Sequence, residues 1–244
     1  MLPQRLFFVR EIGDTKGPYW TAASLDGVHL NLEPGESVLQ VCPCRVSQLS
    51  QKGAQLKPKP NQLLPTVWEL RYPTTVVITD RRTAFLTTQF DKGGGWSGFG
   101  TVGIAVALTA NTVSRSRAAK RSAGKVAIGQ VRHEWLTSIG LRYRKPVFGL
   151  DTYIHLAAAT AAGTTVIQLH KHDVVNEKLA RAVVSTVAGH RATLLPPASS
   201  DLATLDNYQA AGNGAVQGAN PGDLLWPLPG ATGDLIARAL AQQV

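Results

Sequence analysis

The order of the secondary-structure signals constrains this fold most: a long series of short β-rich runs is followed by one amphipathic helix. Runs rich in Val, Ile, Thr and aromatic residues occupy residues 66–72, 74–80 and 83–89, and this composition favours strands. Residues 80–82 form a tight turn between the last two runs. Since strands joined by short turns pair antiparallel, the sequence predicts an antiparallel meander.

The remaining strand-like runs lie on both sides of this meander. Their predicted bounds are 6–12, 19–25 and 37–42 before it, and 126–131, 133–141, 152–158 and 164–169 after it. The helix is predicted from Asp173, a suitable N-cap, to Arg191, with an apolar residue at every fourth position from Val175 to Val187. Strand–helix–strand crossovers do not occur in this order, which argues against a parallel nucleotide-binding sheet.

Parts of the chain resemble the bacterial pleckstrin-homology-like domains, including their GRAM-type branch. The matching stretches are Glu33–Leu39, Val76–Arg82, Ala127–Val131 and Asp173–Arg191. The resemblance implies a mainly β (α+β) fold, in which a bent antiparallel sheet or partly open barrel is closed by a C-terminal amphipathic helix. The chain departs from this family in a long insertion at 93–125 and a wide Lys- and Pro-rich loop at 51–65.

Shifts in composition divide the chain into four parts. We expect an N-terminal β-hairpin extension over 1–32 and a pleckstrin-homology-like domain over 33–194. Residues 195–222 are rich in Ala, Gly, Asn and Pro, which is typical of a flexible linker, and 223–244 are predicted to form a short docking helix. This last part docks in cis or on a partner. Its candidate docking residues are Leu224, Leu225, Trp226, Leu235, Ile236 and Leu240.

The net charge of +9 is concentrated in the insertion. Residues 93–125 contain five basic and no acidic residues, whereas 195–244 contain one basic and four acidic residues. Such a local excess favours an anionic partner. The candidate binding residues are Arg81, Arg82, Arg115, Arg117, Lys120, Arg121, Lys125 and Lys145, with the aromatic residues Trp96 and Phe99.

The insertion itself allows three interpretations. Its 22 uncharged residues, 93–114, can pack on the sheet as a helix or hairpin, enter the interfacial layer of a membrane, or contact a protein through Gly103, Ala107 and Ala110. In the membrane interpretation the basic cluster that follows meets anionic headgroups. A transmembrane helix is disfavoured because glycine, threonine and serine dilute the apolar stretch.

No residue pattern in the chain indicates catalysis, a metal or a cofactor. Cys42 and Cys44 supply at most half of a zinc site, and their spacing to His170 and His172 matches no known zinc motif. The run 98–103 has Gly-x-Gly-x-x-Gly spacing but lacks the strand–helix context and the acidic residue of a dinucleotide site. Neither a nucleophile with its base nor a carboxylate pair stands out.

These observations predict a non-catalytic binding module without a cofactor, which contacts an anionic membrane surface or an acidic protein partner through a basic face. One alternative is a protein-assembly or scaffold component that uses the insertion and the C-terminal tail as interfaces, as in a homo-oligomer. A second alternative is nucleic-acid binding, for which no finger, helix-turn-helix or RNP motif is present. The cysteine usage and the short, soon charged N-terminal stretch predict a cytoplasmic protein, peripheral on the inner membrane face if it binds lipid.

Overall fold

A computed structural model describes part of the chain. The described residues are 2–3, 6–11, 29–50, 66–88, 90–92, 123–144, 151–161, 163–170, 176–230 and 234–235. Their strands are β1 (Phe7–Glu11), β2 (Val38–Ser50), β3 (Thr66–Thr79), β4 (Arg82–Thr87), β5 (Phe90–Lys92), β6 (Lys125–Arg132), β7 (Leu136–Arg144), β8 (Asp151–Thr160), β9 (Gly163–His170), β10 (Val216–Gln217) and β11 (Leu224–Pro227). Their helices are α1 (Asn176–Leu194), α2 (Leu202–Gln209) and the 3-10 turn His133–Trp135.

All the strands belong to one antiparallel sheet. The strand order is β1-β6-β4-β3-β2-β9-β8-β7-β11-β10, and β5 pairs with β3 beside β4. The two longest strands, β2 and β3, change register three times along their ladder, and such irregularities bend a sheet. The prediction of a mainly β fold with a bent antiparallel sheet is confirmed.

Strand β3 differs from the prediction because it continues through Pro73 instead of ending there. Proline lacks the N–H that a ladder needs, so it is tolerated in a strand at an irregular point. The register between β2 and β3 shifts between Cys44 and Val46, whose partners are Thr74 and Leu70. Pro73 therefore lies where the ladder is already interrupted.

Helix α1 packs against β7, β8 and the 3-10 turn, on the inner face of the sheet. Its apolar stripe is buried in the main core, which explains why a helix of this pattern forms here. The buried residues of the stripe are Leu179, Ala180, Val183, Val184, Val187 and Ala188.

The N-terminal strand is part of the sheet and not an extension of it. Strand β1 pairs with β6 in register from Phe7↔Gly129 to Glu11↔Lys125, and Leu6 and Phe7 are in the main core. The second arm of the predicted hairpin, 19–25, lies outside the described residues.

The prediction of a linker over 195–222 was wrong for much of that segment. It contains α2 and β10, and Leu205 and Tyr208 of α2 are buried in the main core. The Ala- and Asn-rich composition resembled a linker because few of its side chains are large. This segment is held in place because α2 packs on α1, and local composition does not reveal that contact.

Gly129 provides a test of the packing between β1 and β6. A Cβ added at Gly129 would lie 2.3 Å from the ring of Phe7, which stacks on Phe85 at a centroid distance of 5.7 Å. We expect Gly129→Ala to lower the free energy of unfolding by about 1–3 kcal/mol, because the ring must leave its packed position. Urea unfolding monitored by circular dichroism measures the loss. Gly124→Ala is an unsuitable control because of its positive φ, whereas Gly140→Ala meets only ordinary contacts and is expected to change stability less.

Candidate interaction surface

Strand β2 exposes apolar side chains on its outer face. Cys42, Cys44 and Val46 point into the core, while Leu39 and Val41 alternate with them and are 55% and 58% exposed. Leu32 and Val38, on either side of the turn at residues 33–36, are also exposed. We call Leu32, Val38, Leu39 and Val41 the β2 patch. Exposed apolar groups that cluster in this way are typical of contact surfaces.

The β2 patch borders a second apolar cluster that is buried. Val41 is the cross-strand partner of Val77 in β3, yet Val77 is only 5% exposed. Side chains of β3, β4 and β6 share this cluster, and Leu30 packs against it; its other members are Ala84, Leu86, Val126 and Ile128. The outer face of the sheet is therefore apolar from β6 to β2, and β2 is where this apolar face becomes accessible.

A rigid turn supports one end of the β2 patch. Gly35 has φ of +72°, a value that glycine adopts without strain. The Glu36 N–H donates to the Glu33 carbonyl (2.9 Å), and the Glu33 N–H donates to Glu36 Oε2 (2.7 Å). The Ser37 N–H donates to Asp80 Oδ1 (3.0 Å). These bonds hold the start of β2 in one geometry.

Arg82 lies in the interior, so its assignment to a basic face was wrong. Its guanidinium donates two hydrogen bonds to the Glu36 carboxylate, of 2.8 and 2.7 Å. It also donates to Gln130 Oε1 (2.6 Å) and to the Asn31 carbonyl (2.8 Å). Both members of the ion pair are fully buried. Burial raises the pKa of Glu36, but the bonds from Arg82, the Glu33 N–H and Thr79 outweigh it, and the pKa is lowered.

Of the other predicted basic residues, the structure describes Arg81 and Lys125. Arg81 lies 3.8 Å from Glu33, and its side chain is 28% exposed. Lys125 opens β6 opposite Glu11. The candidates Arg115, Arg117, Lys120, Arg121, Lys145, Trp96 and Phe99 lie outside the described residues.

The C-terminal docking residues are placed against the chain itself. Trp226 is fully buried in the main core, and Leu235 is fully buried beside Leu194. Leu224 and Leu225 are partly buried in β11, which pairs with β7. Of the two predicted alternatives, docking in cis or on a partner, these described residues dock in cis, and at Leu224–Pro227 the docking element is a strand. Ile236 and Leu240 lie outside the described residues.

A cluster of titratable side chains lies at the end of α1. His133 is fully buried, and neither ring nitrogen has a hydrogen-bond partner. Its ring contacts that of His190, whose Nε2 is 3.4 Å from Glu134 Oε2. Burial opposes ionisation of Glu134, but His190 and Arg132 lower its pKa to about 2. His133 and Glu134 are both buried. We therefore expect the ionisation of this cluster to affect the stability of the fold.

The buried His133 predicts acid sensitivity of the fold. Burial, His190 and Arg191 lower its pKa to about 3, although Glu134 acts against them. The unfolded chain binds a proton near pH 6.5 whereas the folded chain does not, so stability falls as pH drops below 6.5. We expect this residue to cost the fold about 2 kcal/mol between pH 7 and pH 5.

Urea unfolding of the wild type and of His133→Leu at pH 7 and pH 5 measures this effect. The variant removes the titrating group, so its stability should change less with pH, by about 2 kcal/mol. Equal pH dependence of the two proteins would contradict the prediction. His29→Gln, at an exposed histidine, is the matched control and should behave as the wild type.

The two cysteines lie side by side in the core. Their Sγ atoms are 3.8 Å apart on the inner face of β2, and no disulfide joins them. His170 of β9 stacks on Tyr153 at a centroid distance of 4.8 Å, and His172 lies outside the described residues. Within the described ranges, no group of three His, Cys, Asp or Glu side chains is arranged to hold a metal ion.

The residues of the β2 patch were not among the binding residues predicted from the sequence. The signal was present, because residues 38–44 contain one polar residue, Gln40, whereas a strand with a solvated face normally alternates apolar with polar residues. No protein-family model, curated protein or solved structure matches this chain. Among the helices that the structure describes, none is long and apolar enough to cross a membrane.

Proposed function

We propose that this chain is a non-catalytic binding module of pleckstrin-homology-like fold that contacts an acidic protein through the β2 patch. The fold assignment is supported by β2, β3, β4, β6, β7, β8 and β9, a bent antiparallel set followed by α1. This order agrees with the bent sheet and closing helix that the resemblance implies. The chain has only two cysteines, one residue apart, and so lacks a disulfide framework, which favours a cytoplasmic location.

The exposure of Leu39 and Val41 carries the proposal. Side chains of this size stabilise a protein by about 1.5–3 kcal/mol each when they are fully buried. Here they stay more than half exposed beside the buried Val77, on a strand whose start is held by a hydrogen-bonded turn. A partner that covers them gains this burial without having to order the strand, since the strand is already in place.

The acidic class of the partner is proposed from the net charge of the whole chain, +9. Three arginines near the β2 patch have acidic partners: Arg81 and Arg132 pair with Glu33, and Arg82 pairs with Glu36. The excess positive charge therefore comes mainly from segment 115–125, with its five basic residues. Aliphatic side chains on the flat face of a strand suit a protein surface, whereas membrane insertion commonly uses aromatic and aliphatic groups of an amphipathic helix.

A synthetic peptide of alternating Leu and Glu residues is a suitable probe, because as an extended strand it has one apolar and one acidic face. We expect it to bind the wild-type chain. The double variant Leu39→Asp, Val41→Asp should weaken binding at least tenfold, about 1.4 kcal/mol. Val216→Asp is the matched control, since Val216 is 49% exposed on β10, away from the β2 patch, and it should leave binding unchanged. Fluorescence anisotropy measures the affinities.

The remaining function classes give different results with the same variants. Sedimentation with anionic vesicles that is lost in the double variant, without peptide binding, would replace the protein partner by a membrane surface. A larger molar mass of the wild type in light scattering, lost in the double variant, would favour an assembly component. Salt-sensitive binding of a single-stranded oligonucleotide alone would indicate nucleic acid.

A further inference from the structure

One edge of β7 pairs with a segment that follows the main domain in the sequence. Strand β11 pairs with β7 from Leu224↔Leu141 to Pro227↔Ser138, and β10 pairs with β11 in turn. The Leu228 N–H continues the contact by donating to the Thr137 carbonyl (3.0 Å). This arrangement is strand addition to a sheet edge, in which the backbone bonds do not depend on which chain supplies the strand.

Two side chains anchor this segment. Trp226 is fully buried, its indole N–H donates to the Gly212 carbonyl (2.9 Å), and Arg181 of α1 lies over the ring at 5.8 Å. Asp223 is 1% exposed; its carboxylate accepts from the Tyr143 N–H (2.9 Å) and from the backbone and side chain of Asn220. These contacts form a specific site for the sequence Asp-Leu-Leu-Trp-Pro.

The connection that leads into this segment is bent in a costly conformation. Ala211 has φ of +59° and is the one non-glycine residue with positive φ in the described part of the chain. Gly212 follows at φ +67°, packed so closely on Arg181 that a Cβ would lie 2.8 Å from its backbone. The left-handed conformation is unfavourable for alanine. The chain contains this strain when β11 pairs with β7 of the same copy, and an extended conformation at Ala211 would relieve it.

From these observations we infer that two copies of this chain exchange the described residues from Gly212 onward, so that β11 of each copy pairs with β7 of the other. The exchanged dimer keeps the strand pairing, the Trp226 pocket and the Asp223 contacts, because the same residues meet. The two forms differ in the connection around Ala211, and strain there favours exchange. The partner is a second copy, and the surface is the β7 edge, which is distinct from the β2 patch.

Engineered cysteines test the exchange directly. Gly140 and Leu225 are cross-strand partners, and a Cβ at Gly140 meets only ordinary contacts, of 3.7 Å or more. Directly paired positions lie within disulfide range. A mixture of one chain with Gly140→Cys and another with Leu225→Cys can form this disulfide only between exchanged copies. The chain with both substitutions can form it in the closed monomer and shows that the readout works.

The mixture is incubated at high protein concentration under reducing conditions, oxidised, and analysed on a non-reducing gel. We expect a covalent dimer well above that from Gly140→Cys mixed with Val216→Cys, in which β11 separates the two sites. Adding Ala211→Gly should lower the dimer yield about fivefold, because glycine removes the strain of the closed form; Ala210→Gly is the neighbouring control. Absence of dimer above the Val216→Cys control, while the double variant forms its internal disulfide, would overturn the inference, and so would a monomeric molar mass of the wild type in light scattering at the same concentration.

Discussion

Replacement of Arg82 by alanine is expected to lower the free energy of unfolding by about 3–5 kcal/mol. The variant leaves the carboxylate of Glu36 buried without its ion-pair partner, and only Thr79 and backbone groups near Glu33 still bond to it. The loss exceeds what the ion pair itself contributes, because an unpaired buried charge is strongly unfavourable. Urea unfolding at pH 7 measures the change.

Arg81→Ala is the matched control for this prediction. The two arginines are neighbours in the turn, but Arg81 is partly exposed and 3.8 Å from Glu33, so its loss should change stability by less than about 1 kcal/mol. The double variant Arg82→Met, Glu36→Leu removes both charges and should recover much of the loss. Similar stabilities of Arg81→Ala and Arg82→Ala would show that Arg82 is not buried as described.

Truncation of Trp226 to alanine is the second change with a large expected effect. A fully buried indole that contacts the main core and the Gly212 carbonyl is removed, and truncation of buried aromatic residues costs about 3–5 kcal/mol. The melting temperature should fall accordingly, as measured by differential scanning calorimetry. This result would show that the C-terminal segment contributes to the stability of the whole domain.

Leu225→Ala provides the comparison within the same strand. Leu225 is partly exposed, so its truncation should cost clearly less than that of Trp226. Equal losses at the two positions would mean that the indole contributes no more than its neighbour, and that β11 is held by backbone pairing alone.

The local features of the fold could be read from the sequence because they depend on residues close together in the chain. The strand runs around Val76, Phe85 and Ile128 are indicated by their β-favouring composition, and the stripe of α1 by its helical period. Turn chemistry at residues 80–82 likewise acts over a few residues. These elements are present in the structure.

The candidate site was harder to predict because exposure is a property of the whole sheet. Leu39 and Val41 have the same character as the buried Val77 and Leu86, and nothing in their immediate neighbourhood distinguishes them. Whether an apolar strand face is covered depends on which segments cross it. The nearly continuous apolar run at the start of β2 could have indicated the patch, but not which face of the strand is accessible.

The sequence by itself thus determined the strand content, the closing helix and the concentration of positive charge in the insertion, since these follow from composition and periodicity. Tertiary structure alone decided the roles of Arg82 and Trp226. Arg82 meets Glu36, 46 positions earlier, and the Asp223 carboxylate beside β11 accepts from the Tyr143 N–H of β7, 80 positions earlier. A charged or aromatic residue is interior or exposed according to such distant partners, and local pattern has no information about them.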